Sequence, residues 1–481
     1  MATYYWVGGA GTWDNASTAN WSASSGGAPG AGPPLATDTA VFNAASAAAN
    51  YTVTVAATAR ALNVTLSNPT GGVVILSLAG DAIFSGALSH VSGTLHLQTA
   101  ALTAQSYSGS NANARTIAAG TGGALKITGS NNVVWLCADT TNLTISGNPY
   151  IDFTYSGSVG IRYMSHGETV GAEATAISFR VSAGTDTVYF TDNTRIRDFE
   201  FTGFAGTLTA RLIYVYGSYT LNSAMTVQAS TTQAAIFAGT GGPYTITCAG
   251  KNLDFPVTFN GVGGTWTFAD NFASGTARTL TLTNGTLNAN DKNVSIGNFT
   301  AGSGTKTLTL GSGTWTVNGT SWNANTNVTN LTVSSSTGII SLISASTKTF
   351  QGGGKVWPTI NQGGAGALVI QQSNTFANIT NTVQPATITL TSGTTQTVTD
   401  FDASGTSGNL ITLNASTPGS QATLTDSGGA NSVSYVDIKD IAATGYGEWQ
   451  AYTSNGNVDS GNNVGGVFAA PPPLTASEYQ I

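Results

Sequence analysis

Apolar and polar residues alternate along most of this chain with a period of two. The runs YTVTV (51–55), ALNVTL (61–66), GTLHLQT (93–99), RTLTLTNGTL (278–287) and KTLTLGSGTWTV (306–317) show it most plainly. Successive side chains of an extended strand point to opposite faces, so Leu280 and Leu282 share one face and Thr279 and Thr281 the other. Gly, Asn and Ser clusters separate the runs, and these residues tolerate the positive φ of tight turns. Helical periodicity is almost nowhere to be found. The pattern predicts short strands joined by turns.

Self-similarity indicates how those strands are arranged. RTLTLTNGT at 278 recurs as KTLTLGSGT at 306, an offset of 28. GTWTF at 264, GTLNA at 285 and GTWTV at 313 give offsets of 21 and 28. Variable periods in the twenties, without helices, predict an all-β chain wound as a β-solenoid, in which each coil buries its apolar stripe against the next. A propeller would repeat every ~40 residues and a sandwich array every ~100. About 18 coils, each rising ~4.8 Å, would use the whole length.

A coil stack exposes strand edges at both ends, and each end needs a cover. The opening stretch YYWVGGAGTWDNASTANWS sets Trp6, Trp13 and Trp21 among small residues. Indoles are large enough to lid the core, and stacking on carbohydrate is the functional alternative. The predicted organisation is an N-terminal aromatic cap at 1–45 and a solenoid at 46–430 with a charged, aromatic-rich section at about 150–220. A closing segment at 431–468, with a last strand at 431–441 and an irregular, aromatic-bearing closing loop at 445–468, and a Pro-rich tail at 469–481 follow. Pro471 to Pro473 break the chain there, and Leu474 and Ile481 make the tail either a loose terminus or a docking peptide.

Composition narrows the classes. Charged residues are 8% of the chain and hydrophobic residues 41%, which excludes a highly charged disordered polymer. The formal net charge is −7, with the Lys and Arg residues thinly spread, so no basic stripe points to nucleic acid. No window approaches 18 uninterrupted apolar residues, so no helical membrane span is expected. Cys137 and Cys248 lie in apolar strand contexts and are expected as buried thiols rather than a disulfide. The N-terminus has no basic segment followed by an apolar run, so a secretory route is not expected.

Candidate chemistry concentrates at 152–211, which holds 12 of the 37 charged residues. GIRYMSHGETVGAE (160–173) reads as a loop excursion. Glu168, Glu173, Asp192, Asp198 and Glu200 are the concentrated supply of acids for a paired-carboxylate glycosidase. In RIRDFEF, alternation puts Arg195, Arg197 and Phe199 on one face and Ile196, Asp198 and Glu200 on the other. Alternating charge between exposed neighbouring strands gives the same pattern. Tyr163, Tyr189, Tyr214, Tyr216 and Tyr219 cluster here as candidate ligand-binding aromatics. The three histidines, His90, His96 and His166, do not combine into a metal site. In NGNVDSGNN, Asn455, Asn457 and Asp459 have calcium-loop spacing, but Gly461 falls one place late and the bidentate Glu is missing, leaving a turn built on Asn side chains as the other reading. QGGGKVW (351–357) lacks the flanking pattern of a phosphate loop and predicts a tight corner. No cofactor is implied.

Four segments carry a resemblance: YYWVGGAGTWDNASTANWS, RIRDFEFTGFAGTL (195–208), TLTLGSGTWTVNGTSWN (307–323) and VSYVDIKDIAATG with the following WQAYTSNGNVDSGNNVGGVF (433–468). They resemble tailed-bacteriophage virion proteins of the tail fibre, tailspike or capsid-fibre type. Similar openings occur in secreted bacterial β-solenoid adhesins; the expected lack of a secretory route favours the virion. The resemblance implies a right-handed parallel β-helix, a homotrimer with other virion proteins as partners, assembly in the host cytoplasm, and attachment to host surface polysaccharide or receptor. It carries no set of catalytic residues. The expected function is therefore a non-enzymatic attachment fibre or spike. A polysaccharide depolymerase using Asp198/Glu200 or Glu168/Glu173, and a purely structural decoration or filament subunit, are the alternatives.

Overall fold

The computed structural model describes residues 1–130, 133–167, 173–191, 194–209, 212–231, 234–334, 336–446 and 449–467. Glu168, Asp192 and the 469–481 tail with its prolines, Leu474 and Ile481 lie outside them. The chain is nearly all β and winds as a parallel β-solenoid of about 18 turns. It divides into two compact units, Met1–Lys251 and Asn252–Ile481.

In the first unit the early coils have three sheets. An 11-stranded sheet begins with Thr3–Trp6 and ends with Thr226–Val227, and a 6-stranded sheet runs from Gly11–Trp13 to Leu143–Ser146. A third sheet starts at Arg60–Ala61 and takes in Tyr150–Phe153, Ile177–Val181, Thr194–Glu200 and Leu212–Val215. The N-terminal stretch is itself a coil, since Thr3–Trp6 pairs in parallel with Thr39–Phe42 and Gly11–Trp13 with Tyr51–Val55. Trp21–Ser22 pairs antiparallel with the outer edge of Thr3–Trp6, covering an edge that would otherwise invite another strand.

Trp6, Trp13 and Trp21 are 0%, 0% and 1% exposed, which excludes carbohydrate stacking for these three. Trp21 meets Trp6 edge-on at 5.1 Å and Trp13 at 5.4 Å, and Trp13 stacks on Phe84 at 5.3 Å. The indoles thus fill the first coils where Gly, Ala and Ser could not.

The second unit continues the same logic. Leu280 and Leu282 are buried and Thr279 and Thr281 half-buried, as alternation dictates. Phe299, Trp322 and Phe350 occupy equivalent inward positions of successive coils and stack at 4.3 and 6.2 Å. The Gly-rich corners have a specific use. Gly353 and Gly354 take positive φ of 65° and 72°, and the turn brings the Gly352 carbonyl to 3.1 Å from the Trp357 indole nitrogen. Trp315 donates to Leu310 O at 3.1 Å, and Trp449 to Thr444 O at 2.9 Å, over the same spacing. The triple glycine is a tight corner.

Two expectations are corrected. The 28-residue offset is not the coil register: Thr281 lies beside Thr300 and Gly285 beside Lys306, so the register offsets there are 19 and 21. Every face uses the same in–out alternation, so TLTL recurs on different faces, and only the 21-residue match of Thr265 with Thr286 marks true neighbours. The segment after 445 is also not irregular. Val458–Asp459 stacks on Asp437 and Ile438, and Gly466–Val467 on Trp449–Gln450, adding coil where a closing loop is predicted. Cys137 and Cys248 are buried and form no disulfide, as expected.

Candidate functional site

The charged section folds on both sides of one alternation rule. Ile161–His166 is a strand in register with Val133–Cys137 and Thr187–Phe190, so these six residues are not part of a loop excursion, and residues 168–172 of the predicted one lie outside the described residues. Alternation turns Tyr163 and Tyr189 outward on neighbouring coils, where their rings meet edge-on at 5.4 Å. It turns Arg162 inward. That guanidinium is fully buried and forked onto Asp186, with Nε 2.9 Å from Oδ2 and Nη2 2.6 Å from Oδ1. Two of its other three N–H groups donate to Phe153 O and Ala183 O, between the rings of Tyr155 and Phe204. Sequence reading missed this pair; its signal was an Arg two places before Met164, at a position that alternation turns inward.

Lys126, Asp152, Arg180 and Glu200 stand in register on four successive coils of the third sheet, a column of alternating sign. Arg180 donates to Glu200 at 3.1 Å and lies 4.7 Å above the Tyr150 ring. The register shifts between Ile177 and Phe179, so Ile196 and Phe199 both point into the core. Strict alternation therefore misassigns the faces of Thr194–Glu200. Asp198 is held by Ser178 Oγ at 3.0 Å and by Ser218 N–H at 2.8 Å, and Glu200 by Arg180 and Thr202. Both carboxylates remain close enough to Tyr150 that, after burial, they are the main groups pushing its hydroxyl pKa up. Asn148, Tyr150, Arg180, Arg197, Asp198 and Glu200 thus form one outward polar patch, with the buried Ser178 hydroxyl beneath it bonded to Asn148 and Asp198.

Glu173 belongs elsewhere. It lies in a short 3-10 turn, Glu173–Thr175, and its carboxylate accepts from Thr240 Oγ1 at 2.6 Å and Tyr244 Oη at 3.4 Å. It does not join Asp198 or Glu200 in any contact among the described residues.

The tyrosines divide. Tyr163 and Tyr189 form one outward pair, while Tyr214 lies on the third sheet with the Arg195 guanidinium 4.5 Å above its ring. Tyr219 is 0% exposed and Tyr216 is 9% exposed, so the structure corrects both as ligand platforms. Tyr219 packs against Phe199 and Phe237 in the core, because its strand is register-matched to the inward Phe199.

The Asn-rich loop is a corner staple. Asn457 is buried, accepts from Val436 N–H at 2.9 Å, and donates to Val433 O at 2.7 Å and Tyr452 O at 3.0 Å. Asp459 accepts from Gly461 N–H and Asn463, and Asn455 closes a 3-10 turn. The side chains of Asn457 and Asp459 are thus engaged within the corner, as in a turn built on amides rather than a calcium cradle. Among the described residues no group of three His, Cys, Asp or Glu is placed to hold a metal. No protein family, curated protein or solved structure matches the chain.

Proposed function

We propose that the chain is a right-handed β-helical tail fibre, spike or head fibre of a bacteriophage virion, which attaches the particle to a host surface polysaccharide or receptor as a homotrimer. What supports the fibre reading is the parallel coil stack together with the resemblance of the four quoted segments. The observation that carries attachment is a contrast between coils. Outward positions elsewhere are chiefly Thr, Ser and Asn, as in Thr281 beside Thr300 and Thr389 beside Asn414. Between Asn148 and Tyr244 they also include half-buried tyrosines, Tyr150, Tyr163, Tyr189 and Tyr214, with Arg, Asp and Glu nearby. Such side chains offer an apolar ring and a polar tip, the combination that suits a sugar's apolar face and hydroxyl rim. Three copies on one rigid scaffold would multiply weak contacts through effective concentration.

The test is binding of the full chain to a panel of immobilised capsular polysaccharides and lipopolysaccharides, with solution mass measured alongside. Binding that falls at least tenfold in Tyr163→Ala/Tyr189→Ala or in Tyr150→Ala supports the reading. No binding to any surface glycan or intact cell overturns attachment and leaves decoration or a filament subunit. Cleavage of the polysaccharide is the second reading, because Asp198 and Glu200 share a patch with Tyr150. Release of reducing ends that survives Asp198→Asn and Glu200→Gln would remove that pair.

A further inference from the structure

His166 is 1% exposed, yet both of its ring nitrogens have partners. Nε2 lies 2.8 Å from the Thr175 carbonyl, which can only accept, so Nε2 carries the hydrogen. Nδ1 lies 3.4 Å from the Trp135 indole nitrogen, which can only donate, so Nδ1 must present its lone pair. The neutral ring therefore satisfies everything around it. A second proton has one place to go, Nδ1, and there it would face another N–H.

The surroundings offer an imidazolium no relief. Cys137 is the in-register neighbour, and burial pushes its thiol up to about 11, so it stays neutral. Arg115, 3.9 Å from that sulfur, and Arg195 both repel a positive ring. Tyr107 stacks on the far side of Trp135, and Phe179 borders His166 at 5.8 Å. Burial first, then these arginines, hold the His166 pKa down to about 4, against the hydrogen bond to Thr175, which raises it. His90 provides the contrast. Its Nδ1 lies 3.0 Å from the Tyr107 hydroxyl, which can reverse its role and accept from a protonated ring.

Thr175 ends the turn whose first residue, Glu173, is bonded to Thr240 and Tyr244, 67 and 71 residues further along. His166 is thus the inner anchor of a turn whose outer anchor lies on later coils. We propose that His166 is an acid-sensitive tether: in its neutral form it holds the turn Glu173–Thr175 to the core, and a proton on Nδ1, opposed there by the Trp135 N–H, favours an open state in which the ring leaves this site and Nε2–H gives up the Thr175 carbonyl. The consequence is a pH-dependent surface around Glu173, Thr240 and Tyr244. This does not depend on what the surface binds.

The sign follows from linkage. The tethered ring has a lower pKa than a released one at its ordinary 6.5, so the released state takes up more protons between pH 6.5 and 4. The tether is at full strength above that window and weakens as the pH falls through it. From pH 7 to 4.5 the opening equilibrium should rise about 50-fold. Hydrogen–deuterium exchange of the full chain, corrected for intrinsic exchange rates, reads this in peptides covering 173–176 and 240–244. The expected result is that rise in the wild type, a flat response in His166→Gln and a response several-fold smaller in Trp135→Phe, which removes the opposing N–H. His90→Gln should leave the response intact. A flat wild type, or a His166→Gln protein that responds like the wild type, overturns the proposal. Should His166→Gln fail to fold, an unchanged response in Trp135→Phe overturns it instead.

Discussion

Replacing Asp186 by Asn would leave the Arg162 guanidinium buried, charged and nearly isosteric in its surroundings, but without its counterion. Both side chains are fully buried and joined by two N–H···O contacts of 2.6 and 2.9 Å. What remains to Arg162 is the single acceptor oxygen of the introduced amide and two backbone carbonyls, Phe153 O at 3.2 Å and Ala183 O at 2.9 Å, with the faces of Tyr155 and Phe204. Carbonyl dipoles and rings offset part of the desolvation of a cation but not all of it. Removing one partner of a buried pair typically costs about 3–5 kcal/mol, whereas replacing both by apolar residues is close to neutral. Long coil stacks do not unfold in one step, so a local probe is required. At ~1.4 kcal/mol per factor of ten, opening near Phe153 and Ala183 should become about two to three orders of magnitude easier in Asp186→Asn. Hydrogen exchange of those segments measures it directly. The double replacement Arg162→Met/Asp186→Leu should recover most of the loss. If Asp186→Asn exchanges within about threefold of the wild type, the pair is not the closed, desolvated unit described above.

Two further outcomes follow from the same packing. Trp322→Ala removes the middle ring of the Phe299–Trp322–Phe350 stack and its edge contact with Trp357, and should cost about 3–5 kcal/mol, read as a collapse of exchange protection in the coils on either side. Acid should weaken the fold through both buried histidines. Burial holds His90 and His166 down to about 4, below their ordinary 6.5, so the unfolded chain binds more protons between those values and stability falls as the pH drops from 6.5 to 4. Each ring contributes up to about 3 kcal/mol, so thermal unfolding at pH 4.5 should begin well below that at pH 7, and His90→Gln should shrink the gap.

How much of this was written in the sequence depends on which physical effect a residue reports. Period two at Leu280 and Leu282 reports burial, and burial is what builds coils, so the solenoid was legible. The offset of 28 misled because each face of a coil obeys the same alternation; a repeated TLTL identifies a strand but not its neighbour. Phe199 was placed with Arg195 because a register shift between Ile177 and Phe179 inverts the faces of the rest of that strand, and nothing in RIRDFEF announces it. Tyr219 failed as a platform for the same reason, being matched to Phe199. The three N-terminal tryptophans were readable in part: such bulk among Gly and Ala suits burial, but stacking on carbohydrate stayed open until their exposure of 0–1% excluded it. The burial of Arg162, Asp186 and His166 was not legible because polar residues in strands suggest surface, and only the partner across the coil shows that they belong inside.

Register is the property that separates stacked coils from any other arrangement of the same strands. It can be read by placing cysteines at outward positions of the second unit and offering a short bifunctional thiol reagent such as dibromobimane. Thr281→Cys with Thr300→Cys should bridge rapidly, because these residues are direct parallel neighbours. Thr281→Cys with Thr309→Cys, the pair the 28-residue repeat would bring together, should stay unbridged. Bridging of the second pair and not the first would mean that the coils do not stack as described.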